Sequence, residues 1–253
     1  MSIFEGFLYG VIQALTEFLP VSSSGHLALL PHFLSFNDPG VAFDLAMHIG
    51  TALAVIIYFY RDIIWLLKSK HIVNYIVATL ATLSLIFLVK DFASVQGRQS
   101  WLIATNLVIF GWVLYLSDRV SVSKADDFKK SFYIKESIII GLSQVLAVFP
   151  GVSRSGITIS AGRLMGFNKT QASAFSFLLS IPIILGGALL KAKEVVELDH
   201  KLELLPMVIG VGVSFFLGLI VIHYFFKLIK KINFIYFAFY RTILACIIFY
   251  FIY

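Results

Sequence analysis

A sixteen-residue segment occurs twice in this chain, and mostly apolar sequence surrounds both copies. The first copy, Gly10 to Gly25, contains Gln13, Glu17, Pro20 and the run Ser22-Ser23-Ser24-Gly25, and His26 follows it directly. The second, Gly141 to Gly156, contains Gln144, Pro150-Gly151, Ser153, Arg154, Ser155 and Gly156. The copies align at a constant offset of 131 without a gap, with eight identities in sixteen positions. Polar and ionisable groups cost free energy inside a membrane protein, so their recurrence in such surroundings points to chemistry rather than to solvation.

The surroundings set the class. The chain of 253 residues is 59% hydrophobic and 13% charged. A soluble domain is nearer 45–50% apolar and about 25% charged. Six segments, near 43–60, 72–90, 101–117, 171–190, 206–225 and 233–251, approach the length of a membrane span; about 20 residues cross a hydrocarbon core of about 30 Å. The formal charge of +6 comes largely from short loops between these segments. No arginine-aromatic interleaving marks a nucleic-acid surface, so no nucleic-acid partner is expected. The lone Cys246 gives no disulfide framework or thiolate cluster. The first residues, interrupted by Glu5, do not read as a cleavable signal peptide.

Two segments do not read as simple spans. Residues 1–40 are broken by Pro20, the serine run and Pro31; residues 137–167 are broken by Pro150-Gly151, Ser153, Ser155 and Gly156. Irregular backbone at membrane depth is tolerated only where protein or a water-filled cavity covers it. Both segments therefore read as re-entrant helix-turn-helix hairpins. The expected fold is an all-α polytopic membrane protein, a single membrane domain of six transmembrane helices plus two re-entrant hairpins.

Loop charge orients it. The loops at 61–71, 118–136 and 227–231 are rich in Lys and Arg and are expected in the cytoplasm, whereas 91–100 and 191–203 are expected outside. Both termini then fall outside. Three spans separate the hairpins, so the two enter from opposite sides. The chain reads as two inverted-topology repeats, about 1–117 and 137–253, and such repeats bring their polar turns together near the midplane.

The residues at those turns suit an anion. Ser22, Ser23 or Ser24 in one copy and Ser153 or Ser155 in the other can cap the following helix. Each helix N-terminus, with Gly25 or Gly156 in its first turn, presents free N–H groups and a positive dipole end. Arg154 adds a planar fork suited to phosphate, with Thr158 one turn on. Ser23 is a candidate nucleophile, and His26, three residues further, a candidate base able to approach its hydroxyl. Glu17 can orient His26 or hold a divalent ion. It shares a helix face with Gln13, a weaker metal ligand. Serine turns also serve as plain helix caps, and a buried histidine can simply satisfy a carbonyl. Asp44 and His48, one turn apart, divide evenly between contact with substrate or metal and packing. Arg241 reads as a structural counter-charge or a snorkelling side chain.

The two motifs resemble the signatures of the bacitracin-resistance family of undecaprenyl-diphosphate phosphatases. The first signature matches Gln13, Glu17, the run Phe18 to Ser23, Gly25 and His26; the second matches Pro150, Gly151, Ser153 to Gly156 and Thr158. The resemblance continues through Ala172 to Leu179 and Phe237 to Arg241, and so covers nearly the whole chain. It implies hydrolysis of undecaprenyl diphosphate to the monophosphate in the bacterial plasma (inner) membrane. That reaction recycles the lipid carrier for peptidoglycan and other envelope polymers and confers bacitracin resistance. The resemblance also implies a homodimer, a cleft open to the outer side and a divalent cation, Mg or Ca. The expected site is Glu17, Ser23, His26, Ser153, Arg154 and Thr158, with either Ser23 or His26 as nucleophile. Gln13 stands where the family carries Glu or Gln, so a metal there has one charged ligand fewer, and phosphates and water would complete its shell. The competing class is a transporter or flippase of a polyprenyl phosphate or another anion, because inverted repeats with broken helices also describe carriers.

Overall fold

The computed structural model describes residues 1–34, 36, 40–96, 99–120, 134–197 and 203–252. Much of the charge used to orient the loops, including Lys124, Lys129, Lys130 and Lys201, lies outside the described residues. Among the described residues the fold is entirely helical: α1 Ile3–Phe18, α2 Ser23–Leu34, α3 Gly40–Tyr58, α4 Tyr60–Lys68, α5 Ile72–Gln96, α6 Ser100–Val120, α7 Ile134–Gln144, α8 Arg154–Leu164, α9 Lys169–Glu197, α10 Leu204–Leu228 and α11 Ile235–Ile252. A 3-10 turn, Val145–Val148, extends α7.

Local chemistry accounts for the helix ends. Ser2 and Glu5 close a capping box at the start of α1. α1 stops because the residue before a proline is pushed out of the helical region: Leu19, ahead of Pro20, sits at φ −71°, ψ 138°. Phe149, ahead of Pro150, does the same at φ −82°, ψ 122°. Both turns then pass through a non-glycine residue in left-handed backbone, Ser22 at φ 77° and Ser153 at φ 72°. Each of these serines accepts the amide N–H three residues on, Gly25 N at 3.3 Å and Gly156 N at 3.1 Å. The capping serines and glycines thus stand at the sequence offset of 131, whereas the prolines are one position out of register, with Gly151 at φ 90° in the place of Pro20.

Three helices, Ser100–Val120, Lys169–Leu189 and Leu204–Leu228, are long and apolar enough to cross a membrane. The expected first span, 43–60, matches α3, and the chain bends sharply at its end, where most of the loop expected at 61–71 is the helix α4. Ala42–Tyr58 and Tyr60–Lys68 pass the same test only together, bent by 72° at their junction. Ile72–Ile86 and Ile235–Phe251 are shorter apolar stretches. Pro31, read as a chain break, lies inside α2. Its missing N–H costs one ladder bond near the helix end, and the cap at Ser22 sets where the helix begins.

Tertiary packing joins α1 to α10, α3 to α10 and α9, α7 to α5, and α11 to α6, while α8 rests on α6 and α9. Small residues make the closest crossings. A Cβ on Gly10 would strike the backbone of Gly210, and one on Gly141 the backbone of Ala78. In lipid, such close backbone approach supplies the dispersion contacts that hold helices together. A buried aromatic cluster fills the centre, with Phe18 against Phe177 at 5.3 Å and Phe177 against Phe225 at 5.3 Å between ring centroids. At one end Asp118 of α6 takes Arg163 Nε at 2.9 Å and Lys169 Nζ at 3.1 Å, fastening α8 and α9 to α6.

Candidate active site

The turn before α2 and the turn before α8 meet in the interior, and one side chain holds them together. Arg241 of α11 is fully buried. Its guanidinium donates to Pro20 O of the first turn at 3.3 Å and to Gly151 O and Val152 O of the second at 2.6 and 3.0 Å. It donates further to Leu107 O at 2.9 Å and Asn106 O at 3.3 Å on α6. Arg241 therefore neither snorkels nor counters a carboxylate among these contacts. It satisfies carbonyls that the two broken helices leave open, which a planar fork of five donors can do and a lysine cannot.

Beside this clamp is a cavity of about 250 Å³ lined by Glu17, Ser23, Ser24, His48, Gln144, Ser153 and Arg154, with Ile86, Ala147, Val148, Ile183 and Ile184. The first residues of α2 and α8 both border it, so two helix N-termini face one space. Glu17, buried, is the hub. Its Oε1 receives Arg154 Nη2 at 2.5 Å across 137 positions of sequence. Its Oε2 receives the Ser23 hydroxyl at 2.6 Å and Gln13 Nε2 at 3.3 Å. Arg154 is steadied by donating Nη1 to Ser176 O at 3.0 Å. Ser155 Oγ donates to the backbone O of Glu17 at 3.2 Å, tying the second turn to α1.

Not every residue of the motifs reaches the cavity. Gly25 and Gly156 contribute backbone N–H groups that their own cap serines take. The Thr158 hydroxyl is shared among Arg154 O at 2.8 Å and Ser176 Oγ at 2.6 Å, so Thr158 supports Arg154 from behind. His26 does not approach Ser23. Its Nδ1 bonds Ser22 O at 2.8 Å, and its Nε2 bonds Tyr240 OH at 2.8 Å, with the two rings stacked. A carbonyl can only accept, so Nδ1 carries the hydrogen and the neutral ring's lone pair is taken up by the tyrosine hydroxyl. Helical side chains lean back toward the N-terminus, which carries the ring past Ser23 to the carbonyl of Ser22.

A different histidine faces the site. His48 of α3 anchors Nδ1 on Asp44 O at 2.7 Å and lines the cavity, with Nε2 at 3.6 Å from Glu17 Oε2. With Nδ1 held by that carbonyl, Nε2 is the ring nitrogen turned toward the carboxylate. The sequence had left this residue evenly divided between contact and packing; its signal was a position one turn after Asp44. Gln144, the second-copy counterpart of Gln13, also lines the cavity, and it donates Nε2 to Thr82 Oγ1 at 3.1 Å.

A divalent cation finds partial accommodation here. Among the described residues no three His, Cys, Asp or Glu side chains cluster as a metal cage. Two hard oxygen donors lie one turn apart on α1: the Glu17 carboxylate, which borders the cavity, and the buried Oε1 of Gln13, which has no hydrogen-bond partner while its Nε2 faces Glu17. Two donors are short of an octahedral shell, so a cation would need phosphate oxygens and water to complete it.

A carboxylate holding both a serine hydroxyl and an arginine guanidinium, at the edge of a cavity bordered by two helix N-termini, is an arrangement suited to an anion in a helical membrane protein. A hydroxyl beside an acceptor for its proton is also what a hydrolytic or group-transfer site needs. Residues 6–247 match the family described as bacitracin resistance protein BacA, and the chain belongs to that family. The undecaprenyl-diphosphatase of Desulforudis audaxviator (strain MP104C) is 38% identical over 257 residues, covering 97% of this chain and 96% of that protein.

Proposed function

We propose that this protein hydrolyses undecaprenyl diphosphate to undecaprenyl phosphate and inorganic phosphate. Family membership and the 38% identical undecaprenyl-diphosphatase support the substrate and reaction. The observation that carries the chemistry is the convergence of Ser23 and Arg154 on Glu17 at one cavity.

The terminal phosphate enters against Arg154 and the N-termini of α2 and α8, which stabilise the charge of a loose phosphoryl-transfer transition state. Ser23 Oγ attacks the terminal phosphorus, and its proton passes to Glu17 Oε2. The bond from phosphorus to the bridging oxygen breaks, and its electron pair leaves with undecaprenyl phosphate. Water then attacks the phosphoserine: the bond from phosphorus to Ser23 Oγ breaks, Oγ recovers the proton held on Glu17, and a proton of the water leaves to solvent with inorganic phosphate. Of the two candidate nucleophiles, Ser23 is favoured because it lines the cavity and already donates to a carboxylate. His26, with Nε2 on Tyr240, supports the turn. A divalent cation, Mg or Ca, held by Glu17 and Gln13 together with the diphosphate, supplies charge neutralisation when bound.

In the same reading the chain is a six-span protein with two re-entrant hairpins in inverted repeats. Five helix pairs recur near the offset of the motif: α1 with α7, α2 with α8, α3 with α9, α5 with α10 and α6 with α11. The basic residues Arg61, Lys68 and Lys70 in and near α4, and Lys227, Lys230 and Lys231 at the end of α10 and just beyond it, favour the cytoplasm. The site then opens to the outer face of the bacterial plasma membrane, where carrier recycling for peptidoglycan synthesis and bacitracin resistance would act. The family resemblance extends the proposal to a homodimer, which cross-linking in native membranes tests.

The test of function is phosphate release from undecaprenyl diphosphate by detergent-purified protein, with and without EDTA, beside Arg154→Ala and Ser23→Ala. Release that both substitutions abolish is expected. Uptake of a polyprenyl phosphate into proteoliposomes without phosphate release would instead establish a carrier.

A further inference from the structure

We infer that the groove between α5 and α9, closed at one end by α4, holds isoprene units of the substrate's tail beyond the first. This inference rests on the proposed function. The groove is about 280 Å³ and is lined by Leu66 of α4, Ile76 and Leu80 of α5, and Leu178, Ile181 and Pro182 of α9. Thr79, also in its wall, donates its hydroxyl to Tyr75 O at 2.8 Å, so the groove presents hydrocarbon.

The groove and the polar cavity lie along the same seam between α5 and α9. On α9, Ile181 and Pro182 line the groove while the next residues, Ile183 and Ile184, line the cavity. On α5, Thr79 and Leu80 line the groove, and Ile86, further along the same helix, lines the cavity. A molecule with its phosphate against Arg154 would lay its chain along this apolar seam, past Leu83, toward α4.

The opening is written in the sequence. At the offset of 131 residues the α5/α9 pair corresponds to α10/α3, and that crossing is tight. A Cβ on Gly50 would strike Ser214, and Gly218 lies against Ala54. The positions corresponding to Gly50 and Ser214 are Ile181 and Leu83; those corresponding to Ala54 and Gly218 are Leu185 and Phe87. Small residues that let α3 and α10 touch are thus replaced by large ones where α5 and α9 face each other. A Cβ on Gly186 would meet only Leu83, at 4.0 Å, and one on Gly187 nothing within that range. The same helix pairing is closed in one half and spread apart in the half that borders the cavity. A resident lipid without a phosphate would gain nothing from continuity with Arg154, whereas a prenyl diphosphate uses both ends.

The test compares a C55 with a C5 prenyl diphosphate on Leu80→Trp, Ile76→Trp and, as a control on the lipid face of α10, Val208→Trp. The groove variants should raise KM for the C55 substrate at least tenfold and leave kcat/KM for the C5 substrate within twofold. The control should change neither. A photoreactive C15 diphosphate, read without turnover, should label peptides of α5 and α9. Unchanged C55 kinetics in both groove variants, or labelling confined to other helices, overturns the inference. Wild-type protein that cleaves neither substrate would instead overturn the phosphatase reading, and the labelling would still decide the groove.

Discussion

Glu17 decides how the site is balanced. Its ion pair with Arg154 is buried, and breaking such a pair by removing one partner costs about 3–5 kcal/mol in soluble proteins. An incoming phosphate must therefore compete with Glu17 for the guanidinium while approaching a carboxylate. Glu17→Gln should separate the two roles. Arg154, freed from its carboxylate, should bind inorganic phosphate more tightly by calorimetry, while kcat falls by about 10²–10⁴ because Ser23 has lost the acceptor of its proton. Weaker phosphate binding in the variant would contradict this account. Arg241 works through geometry. Its removal as Arg241→Leu orphans carbonyls of Pro20, Gly151 and Val152, each worth about 1–3 kcal/mol when buried. The expected outcome is a protein that loses its sharp thermal transition in detergent. Arg241→Lys should recover only part of it, since an ammonium cannot span both turns.

At the scale of elements, the two turns repeat one device: a pre-proline residue ends a helix, a serine in left-handed backbone reverses the chain, and its hydroxyl caps the next helix. Cap and strain can be separated at Ser153. Ser153→Ala removes the cap and keeps the strain, and should cost about 1 kcal/mol. Ser153→Gly costs only a few tenths as a cap and relieves the positive φ, so it should be neutral or slightly stabilising. Thermal unfolding in detergent orders the three proteins, and equal losses in both variants would remove the strain argument. The turns were legible in the sequence because prolines, serines and glycines act on their immediate neighbours. Pro31 was misleading for the same reason: a proline late in a helix breaks one bond but does not end an element that packing continues.

For the whole molecule, the proposed cation is the open component. With no cluster of three His, Cys, Asp or Glu among the described residues, a metal relying on Glu17 and Gln13 should bind weakly without substrate and tightly with it. Equilibrium dialysis of Mg or Ca should show a clear gain on adding a non-hydrolysable diphosphate. A stoichiometric site in the protein alone would mean that the cage is built from other residues. Helix packing sets this scale, because the hub joins α1, α2 and α8, and His48 is brought up by α3.

The sequence by itself determined the helical membrane class, the doubled motif, the places where helices break and the polar set Glu17, Ser23 and Arg154. These follow from composition and from interactions a few residues long. Tertiary structure decided which of those groups meet. His26 turned to Tyr240, 214 positions away, and His48 took the place beside Glu17. Arg241 proved to be the clamp between the turns. A side chain's type and helix are local properties, but the partner of its last free lone pair or N–H belongs to whichever distant helix packs against it.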